Sequence, residues 1–225
     1  MKIGILMTGH AVPEVQEKLG DYDEFFARLL AGRGFEFETY DCEAGVIPGS
    51  PDACDGWLIT GSRHAAYEDH VWIPPLEAFI RAVYAAKVPL VGICFGHQII
   101  AQALGGKVAK FEGGWSVGPT TYKIEGEDLS LNAWHQDQVI ALPPEAQVIG
   151  ASDFCQYAAL VYGDTVYTVQ PHPEFGADMI DFLLRYRGKG VVPDDILSDA
   201  AARLDMPTHS PTIAARIAGV LKKGA

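Results

Sequence analysis

The run Val88-Pro89-Leu90-Val91-Gly92-Ile93-Cys94-Phe95-Gly96-His97-Gln98 constrains this chain more than any other stretch. Its apolar first half reads as a buried strand. The strand stops at a single cysteine. A helical pattern follows at once through Ile99, Ile100, Ala103 and Leu104, and Gly105-Gly106 closes it as a helix C-terminus. Strand, sharp turn carrying a reactive side chain, then helix is the logic of a nucleophile elbow. Gly92 and Gly96 flank Cys94, and small residues there let strand and helix approach while the turn residue sits strained. A thiol at a helix N-terminus meets a dipole and free amides that favour the thiolate. The competing reading is a small buried apolar residue, which free cysteines often are.

A second segment weakens that alternative. Val166-Tyr167-Thr168-Val169-Gln170-Pro171-His172-Pro173-Glu174-Phe175 is a β-rich run ending in a histidine between two prolines. A cysteine nucleophile needs a base that takes the thiol proton and later protonates the leaving amine, and a third group that orients the base. His172 and Glu174 fit those roles. The prolines restrict the backbone that presents them.

Gly-Ile-Cys-Phe-Gly-His-Gln followed far downstream by Gln-Pro-His-Pro-Glu resembles the class I glutamine amidotransferase family over roughly the first 185 residues. The resemblance implies a flavodoxin-like three-layer α/β sandwich and cleavage of a γ-glutamyl amide through a thioester. It implies Cys94 as nucleophile, His172 as base and acid, and Glu174 as the orienting carboxylate. The amide of Phe95 becomes one oxyanion donor, and Gln98 touches the bound glutamine. The second oxyanion amide should follow the strand Gly56-Trp57-Leu58-Ile59-Thr60, with Gly61 and Ser62 both open as the donor. Each such donor is worth about 3–4 kcal/mol to the transition state. Where many members carry Gly-Gly-Pro, this chain has Thr60-Gly61-Ser62-Arg63, which looks more like a stand-alone branch that includes γ-glutamyl peptidases. Asn132-Ala133-Trp134-His135-Gln136-Asp137-Gln138-Val139 resembles the GMP-synthetase-like subgroup and implies substrate binding by His135, Gln136 and Asp137. A turn in which Asp137 caps a local helix is the other reading of that segment.

Strands and helices alternate through the first half. A helix is expected through Tyr22, Phe25, Phe26, Leu29 and Leu30, a strand at Phe35–Tyr40, and a helix opened by Pro74-Pro75. This succession predicts a mostly parallel sheet with helices on both faces and active loops at strand C-termini. From Lys107 to Val169 the pattern turns β-rich, which predicts an added antiparallel segment. Residues 1–187 are expected to form the amidotransferase-like domain. Residues 188–225 are expected to form a helical extension packed on it, with helices at Asp194–Leu204 and Thr212–Leu221. Ser210 and Pro211 read as the N-cap and first residue of the second.

Composition narrows the function classes. A net charge of -12 argues against a nucleic-acid partner. The apolar N-terminus is short and lacks a cleavage site, and no apolar run reaches a membrane span, so a cytoplasmic protein is expected. Cys42, Cys54, Cys94 and Cys155 are scattered and read as free thiols. His64, Glu68, Asp69 and His70 lack a closed ligand spacing, and no helix sets them on one face, so no metal is expected. That loop, with Trp72 behind it, reads as a lid or substrate-side wall. Gly105-Gly106 and Gly113-Gly114-Trp115 match neither a phosphate-binding nor a dinucleotide loop, so no cofactor is expected, and Trp115 reads as packing near the site.

Three readings of function remain. One is a glutaminase that hands ammonia to a synthase partner. The second is a stand-alone γ-glutamyl peptidase. The third is a non-catalytic regulatory relative.

Overall fold

The computed structural model describes residues 1–224. The strands are β1 (Lys2–Met7), β2 (Glu36–Asp41), β3 (Gly56–Ile59), β4 (Leu90–Ile93), β5 (Lys107–Lys110), β6 (Ser116–Ile124), β7 (Glu127–His135), β8 (Asp137–Ala141), β9 (Ala146–Ala151), β10 (Ala159–Tyr162) and β11 (Val166–Val169). The α-helices are α1 (Pro13–Leu19), α2 (Tyr22–Leu29), α3 (Ile73–Ala85), α4 (Phe95–Ala103), α5 (Ala177–Leu183), α6 (Asp194–Ala202) and α7 (Ser210–Leu221). Among these residues a nine-stranded sheet runs in the order β2-β1-β3-β4-β11-β10-β9-β6-β7. Its β2-to-β11 end is parallel. Its β11-to-β7 end is antiparallel. β5 and β8 pair separately. The fold is therefore the mixed α/β sandwich with an added antiparallel segment.

Two apolar layers cover the sheet. On one face Leu76, Phe79, Ile80 and Val83 of α3 and Ile99 and Ile100 of α4 pack with Trp57, Ile59 and Leu90. On the other, Phe26 of α2 and Ile213, Ala214, Ile217 and Leu221 of α7 pack with Ile3, Ile5, Leu58, Val91 and Ile93. Alternation along β1 and β3 divides these sets between the faces, as a two-residue side-chain period requires. Helix α7, near the end of the chain, thus shares a core with the first strands.

Three local details depart from the sequence reading. Helix α1 opens on Pro13 and closes at Gly20 with φ 89°, a start and stop whose seven-residue body is too short to show periodicity. After α5 the chain makes one wide π-helical turn over Leu184–Gly188. Gly188 permits that turn to lie against α6, since a Cβ there would sit 2.5 Å from Leu197 Cδ2. Ser210 is not the N-cap of α7; it lies inside the first turn with its hydroxyl 3.1 Å from Thr208 Oγ1. His209 precedes the helix, and its amide and Nδ1 bond the Ser130 carbonyl and amide of β7, which fixes where the helix begins.

Candidate active site

Parallel pairing of β4 with β11 sets Ile93 opposite Val169, so the two strands end side by side. Cys94 follows the first and Gln170 the second. Cys94 has φ 53° and ψ -102°, a conformation L-residues avoid. Its amide donates to the Val169 carbonyl at 2.9 Å, which holds the turn to β11. The flanking glycines are required by contact. A Cβ at Gly92 would sit 2.5 Å from the Gly96 carbonyl carbon, and one at Gly96 would sit 2.4 Å from the Ile59 oxygen. Strand β4, helix α4 and strand β3 therefore close on one another through bare backbone.

The amide of Gly96 donates to the Thr60 carbonyl and that of Gln98 to the Cys94 carbonyl. The Phe95 amide, first in the helix, makes no such bond among the described residues. Opposite it, the Gly61 carbonyl accepts from the hydroxyls of Thr8 at 3.1 Å and Thr60 at 2.9 Å. A trans peptide points its carbonyl and its N–H in opposite directions. The Ser62 amide is therefore turned away from the two threonines.

The His172 ring is fixed from several directions. Its Nδ1 is 2.6 Å from Glu174 Oε1. Its plane stacks on Phe175 at 4.0 Å between centroids and 3° between planes. Its backbone amide donates to Asn132 of β7, whose side-chain amide in turn donates to the Phe175 carbonyl. Burial works against an imidazolium here, but the Glu174 carboxylate and the adjacent Cys94 sulfur outweigh it and raise the His172 pKa to about 10. Burial instead pushes the Cys42 and Cys155 thiols up to about 12, which leaves them unreactive at neutral pH.

Gln170 was quoted in the sequence motif but given no role. Its Nε2 lies 3.5 Å from Cys94 Sγ, and its Oε1 accepts from Gln98 Nε2 at 3.1 Å. Gln98 Nε2 also donates to the Asp137 carbonyl at 2.8 Å. A polar glutamine closing an otherwise apolar strand, two residues before His172, is the signal the sequence carries; the structure buries it fully beside the cysteine. Both Gln98 amide hydrogens are thereby committed to the protein, which leaves its oxygen for a ligand.

Cys94, Phe95, Ser62, Gln98, His135, Gln136 and Asp137 line one cavity of about 330 Å³. Gly61, His172 and Glu174 line a smaller adjoining one, which shares Ser62, Trp134 and Arg187 with the first. Neither ring nitrogen of buried His135 has a protein partner among the described residues. Burial and the neighbouring His172 lower its pKa to about 3, so it is neutral. Asp137 opens β8 rather than a helix, and its carboxylate accepts from the Tyr67 hydroxyl at 3.1 Å. Sequence reasoning did not single out Lys110, Trp134 and Arg187, which also line the larger cavity. Arg187 gets there through the π-helical turn, which no periodicity announces. The segment His64–Glu68 forms the opposite wall, and a turn draws His64, Glu68 and His70 together although no helix does.

A strained cysteine thus stands at the mouth of a parallel α/β sheet, beside a histidine and a carboxylate that follow the neighbouring strand. The chain belongs to the glutamine amidotransferase class-I family, whose model matches residues 21–181. It is 30% identical over 201 residues to gamma-glutamyl peptidase 2 of Arabidopsis thaliana, covering 83% of this chain and 81% of that protein. It is 32% identical over 164 residues to the glutamine-hydrolyzing GMP synthase of Pyrobaculum aerophilum, covering 69% of this chain but 31% of that protein. The crystal structure of a glutamine amido transferase from Methylobacillus flagellatus superposes with a TM-score of 0.79 at 23% identity, covering 99% of this chain and 94% of the other. No helix among the described residues is long and apolar enough to cross a membrane.

Proposed function

We propose that this protein hydrolyses a γ-glutamyl amide bond through a γ-glutamyl thioester on Cys94. The observation that carries the reading is the pairing of Cys94, strained at the start of α4, with a buried histidine whose other nitrogen is held 2.6 Å from a carboxylate. His172 takes the thiol proton, and the sulfur attacks the γ-carbonyl carbon. The oxyanion is met by the amides of Phe95 and Ser62, and the tethering of the Gly61 carbonyl to Thr8 and Thr60 supports Ser62 over Gly61. His172, oriented by Glu174, protonates the departing nitrogen as the C–N bond breaks. Water then attacks the thioester with His172 as base, and glutamate leaves as the thiol reforms. The Gln98 oxygen and the ring of His135 offer polar contacts to the glutamyl end, with Gln136 and Asp137 beside them.

Two substrates fit this chemistry. Glutamine would make the protein a glutaminase that passes ammonia to a synthase partner, as the match to a GMP synthase suggests. A γ-glutamyl peptide would make it a stand-alone hydrolase. Lys110 and Arg187 on the cavity wall favour the second, because a peptide's leaving group carries a carboxylate that ammonia lacks.

The deciding experiment measures glutamate release by purified protein from glutamine and from a γ-glutamyl dipeptide, with Cys94→Ala as control. Release from the dipeptide alone supports the hydrolase. Release from glutamine, strengthened by added cell extract, supports the glutaminase. Turnover by folded Cys94→Ala equal to wild type would end both readings.

A further inference from the structure

We propose that His64, Glu68 and His70 form a binding site for one divalent cation of the zinc type, which braces the loop between β3 and α3. No regular ligand spacing marks these residues in the sequence. The structure nevertheless brings one ligand atom of each residue within 4.8 Å of the others. His70 Nε2 is 2.8 Å and His64 Nδ1 3.3 Å from the same oxygen, Glu68 Oε2. Ligands about 2.0–2.1 Å from a tetrahedral zinc ion are separated by about 3.4 Å, so only small side-chain shifts are needed. Two imidazoles and one carboxylate suit zinc over calcium or magnesium, which prefer oxygen.

The surroundings prepare the donors. His64 Nε2 lies 3.0 Å from Glu43 Oε1 on the far side of the ring. A carboxylate accepting that N–H fixes the tautomer and leaves the Nδ1 lone pair facing Glu68, the usual outer-sphere support of a metal-bound histidine. Arg63 Nε is 3.3 Å from the same nitrogen, while its NH2 group donates to Glu43 Oε1 at 2.6 Å. The charged carboxylate is the better partner for the ring, and Arg63 holds that carboxylate in place. His64 Nδ1 and a Glu68 carboxylate oxygen face each other at 3.3 Å, close to the ligand–ligand spacing of a tetrahedral zinc ion. A cation between them would be held by both. His70 stacks on Trp72 at 5.9 Å and 14°, which orients its ring. The loop backbone is pinned where Gln102 Nε2 donates to the Ala66 carbonyl at 2.7 Å.

The site is separate from the catalytic proposal, since Cys94, His172 and Glu174 contribute no ligand. It adjoins the same cavity through His64 and Glu68, and it begins two residues after Ser62. A cation there would hold the loop that presents the Ser62 amide.

The test titrates chelator-treated protein with Zn²⁺ alone, in wild type and in Cys94→Ala so that binding to the cysteine is removed. Visible absorption of Co²⁺ in the same proteins reports the donor geometry. The expected result is one equivalent bound in both proteins and a tetrahedral Co²⁺ spectrum. His64→Ala and His70→Ala should each weaken binding at least tenfold, and Glu43→Gln should weaken it about 10-fold or more. Zinc should raise the Tm of Cys94→Ala and fail to raise that of Cys94→Ala with His70→Ala. His70 is partly exposed, so its replacement tests the site without emptying the core. The proposal is overturned if Cys94→Ala binds no zinc, or if binding survives in folded His64→Ala and His70→Ala proteins. Either result would make the cluster a set of ordinary histidine–carboxylate ion pairs.

Discussion

Two buried histidines should dominate the acid sensitivity of this fold. His97 is fully buried and His135 is 4% exposed. Burial, the leading cause for each, lowers their pKa values to about 3. For His135 the neighbouring His172 adds to the effect. In the unfolded chain both return to about 6.5. Between these values the unfolded state binds more protons, so stability must fall as pH falls. At pH 5 each histidine costs about 2 kcal/mol relative to pH 7.5, since 1.36 kcal/mol per unit acts over about 1.5 units. Both together cost about 4 kcal/mol, a large part of the roughly 5–15 kcal/mol that a domain commonly has. The perturbation to make is His97→Asn, which retains an amide near the Thr168 hydroxyl, now 2.8 Å from His97 Nδ1. Urea unfolding at pH 7.5 and pH 5 should show a pH-dependent loss smaller by about 2 kcal/mol in the variant than in wild type, whatever the variant does to stability at pH 7.5; His172, whose raised pKa acts in the opposite sense, is common to both proteins. Partly exposed His10, whose pKa its hydrogen bond to Asp21 raises, contributes equally to both proteins and cancels. If wild type and His97→Asn lose stability in parallel, His97 takes up its proton inside the fold and the burial argument is wrong.

Other outcomes follow from the site and the core. The raised pKa of His172 adds stability that is complete below pH 6.5 and fades as the pH rises towards about 10. Cys94→Ala removes one partner of that pair and should flatten the decline in unfolding free energy between pH 7 and pH 10; an unchanged decline would assign it to other groups. Glu174→Gln should lower kcat by about 10²–10⁴-fold with the fold intact, judged by steady-state kinetics and circular dichroism, because the base loses its orienting charge; a loss below tenfold would remove Glu174 from the mechanism. Gly96→Ala forces a methyl against the Ile59 backbone and should cost about 1–3 kcal/mol in urea unfolding, with near-neutral stability counting against a tight elbow. Ile217→Ala, outside the residues matched to the family, should cost about 2–4 kcal/mol if α7 belongs to the main core, and under 1 kcal/mol if residues 188–225 form a separable appendage.

What the sequence made legible was chemistry written in consecutive residues. The elbow is readable because strand, turn and helix follow without interruption, and because the backbone contacts of Gly92 and Gly96 exclude a side chain. His172 and Glu174 are readable because the base and its orienting group are two residues apart. The cavity wall was less accessible. Arg187 depends on a π-helical turn, Lys110 on the pairing of β5 with β8, and Trp134 on its packing beside Gly188 at the end of that turn. Each is set by tertiary packing that leaves no local period. The cluster at His64, Glu68 and His70 was visible as composition but not as geometry, because an irregular turn rather than a helix folds it together.

The added antiparallel segment matters to the site for a related reason. A parallel sheet alone brings the ends of β4 and β11 side by side, which positions Cys94 against Gln170. It does not hold His172, which lies past the end of β11 and between prolines that cannot donate backbone hydrogen bonds. β7, at the far edge of the sheet, supplies what is missing. The Asn132 carbonyl accepts from the His172 amide, and its side-chain amide donates to the carbonyl of Phe175, whose ring stacks on the imidazole. One residue of the antiparallel region thus fixes both the backbone of the base and the ring on which it stacks. Asn132→Ala should therefore loosen His172 without touching the ligand cavity directly. Its side-chain bond is buried, so its loss should cost about 1–3 kcal/mol of stability. The informative readout is kinetic: kcat should fall more than KM changes, because the base is displaced while the glutamyl contacts at Gln98 and His135 remain. A variant that loses stability by this amount but keeps full kcat would mean that Glu174, Phe175 and the backbone bond to β7 position the ring without the Asn132 side chain.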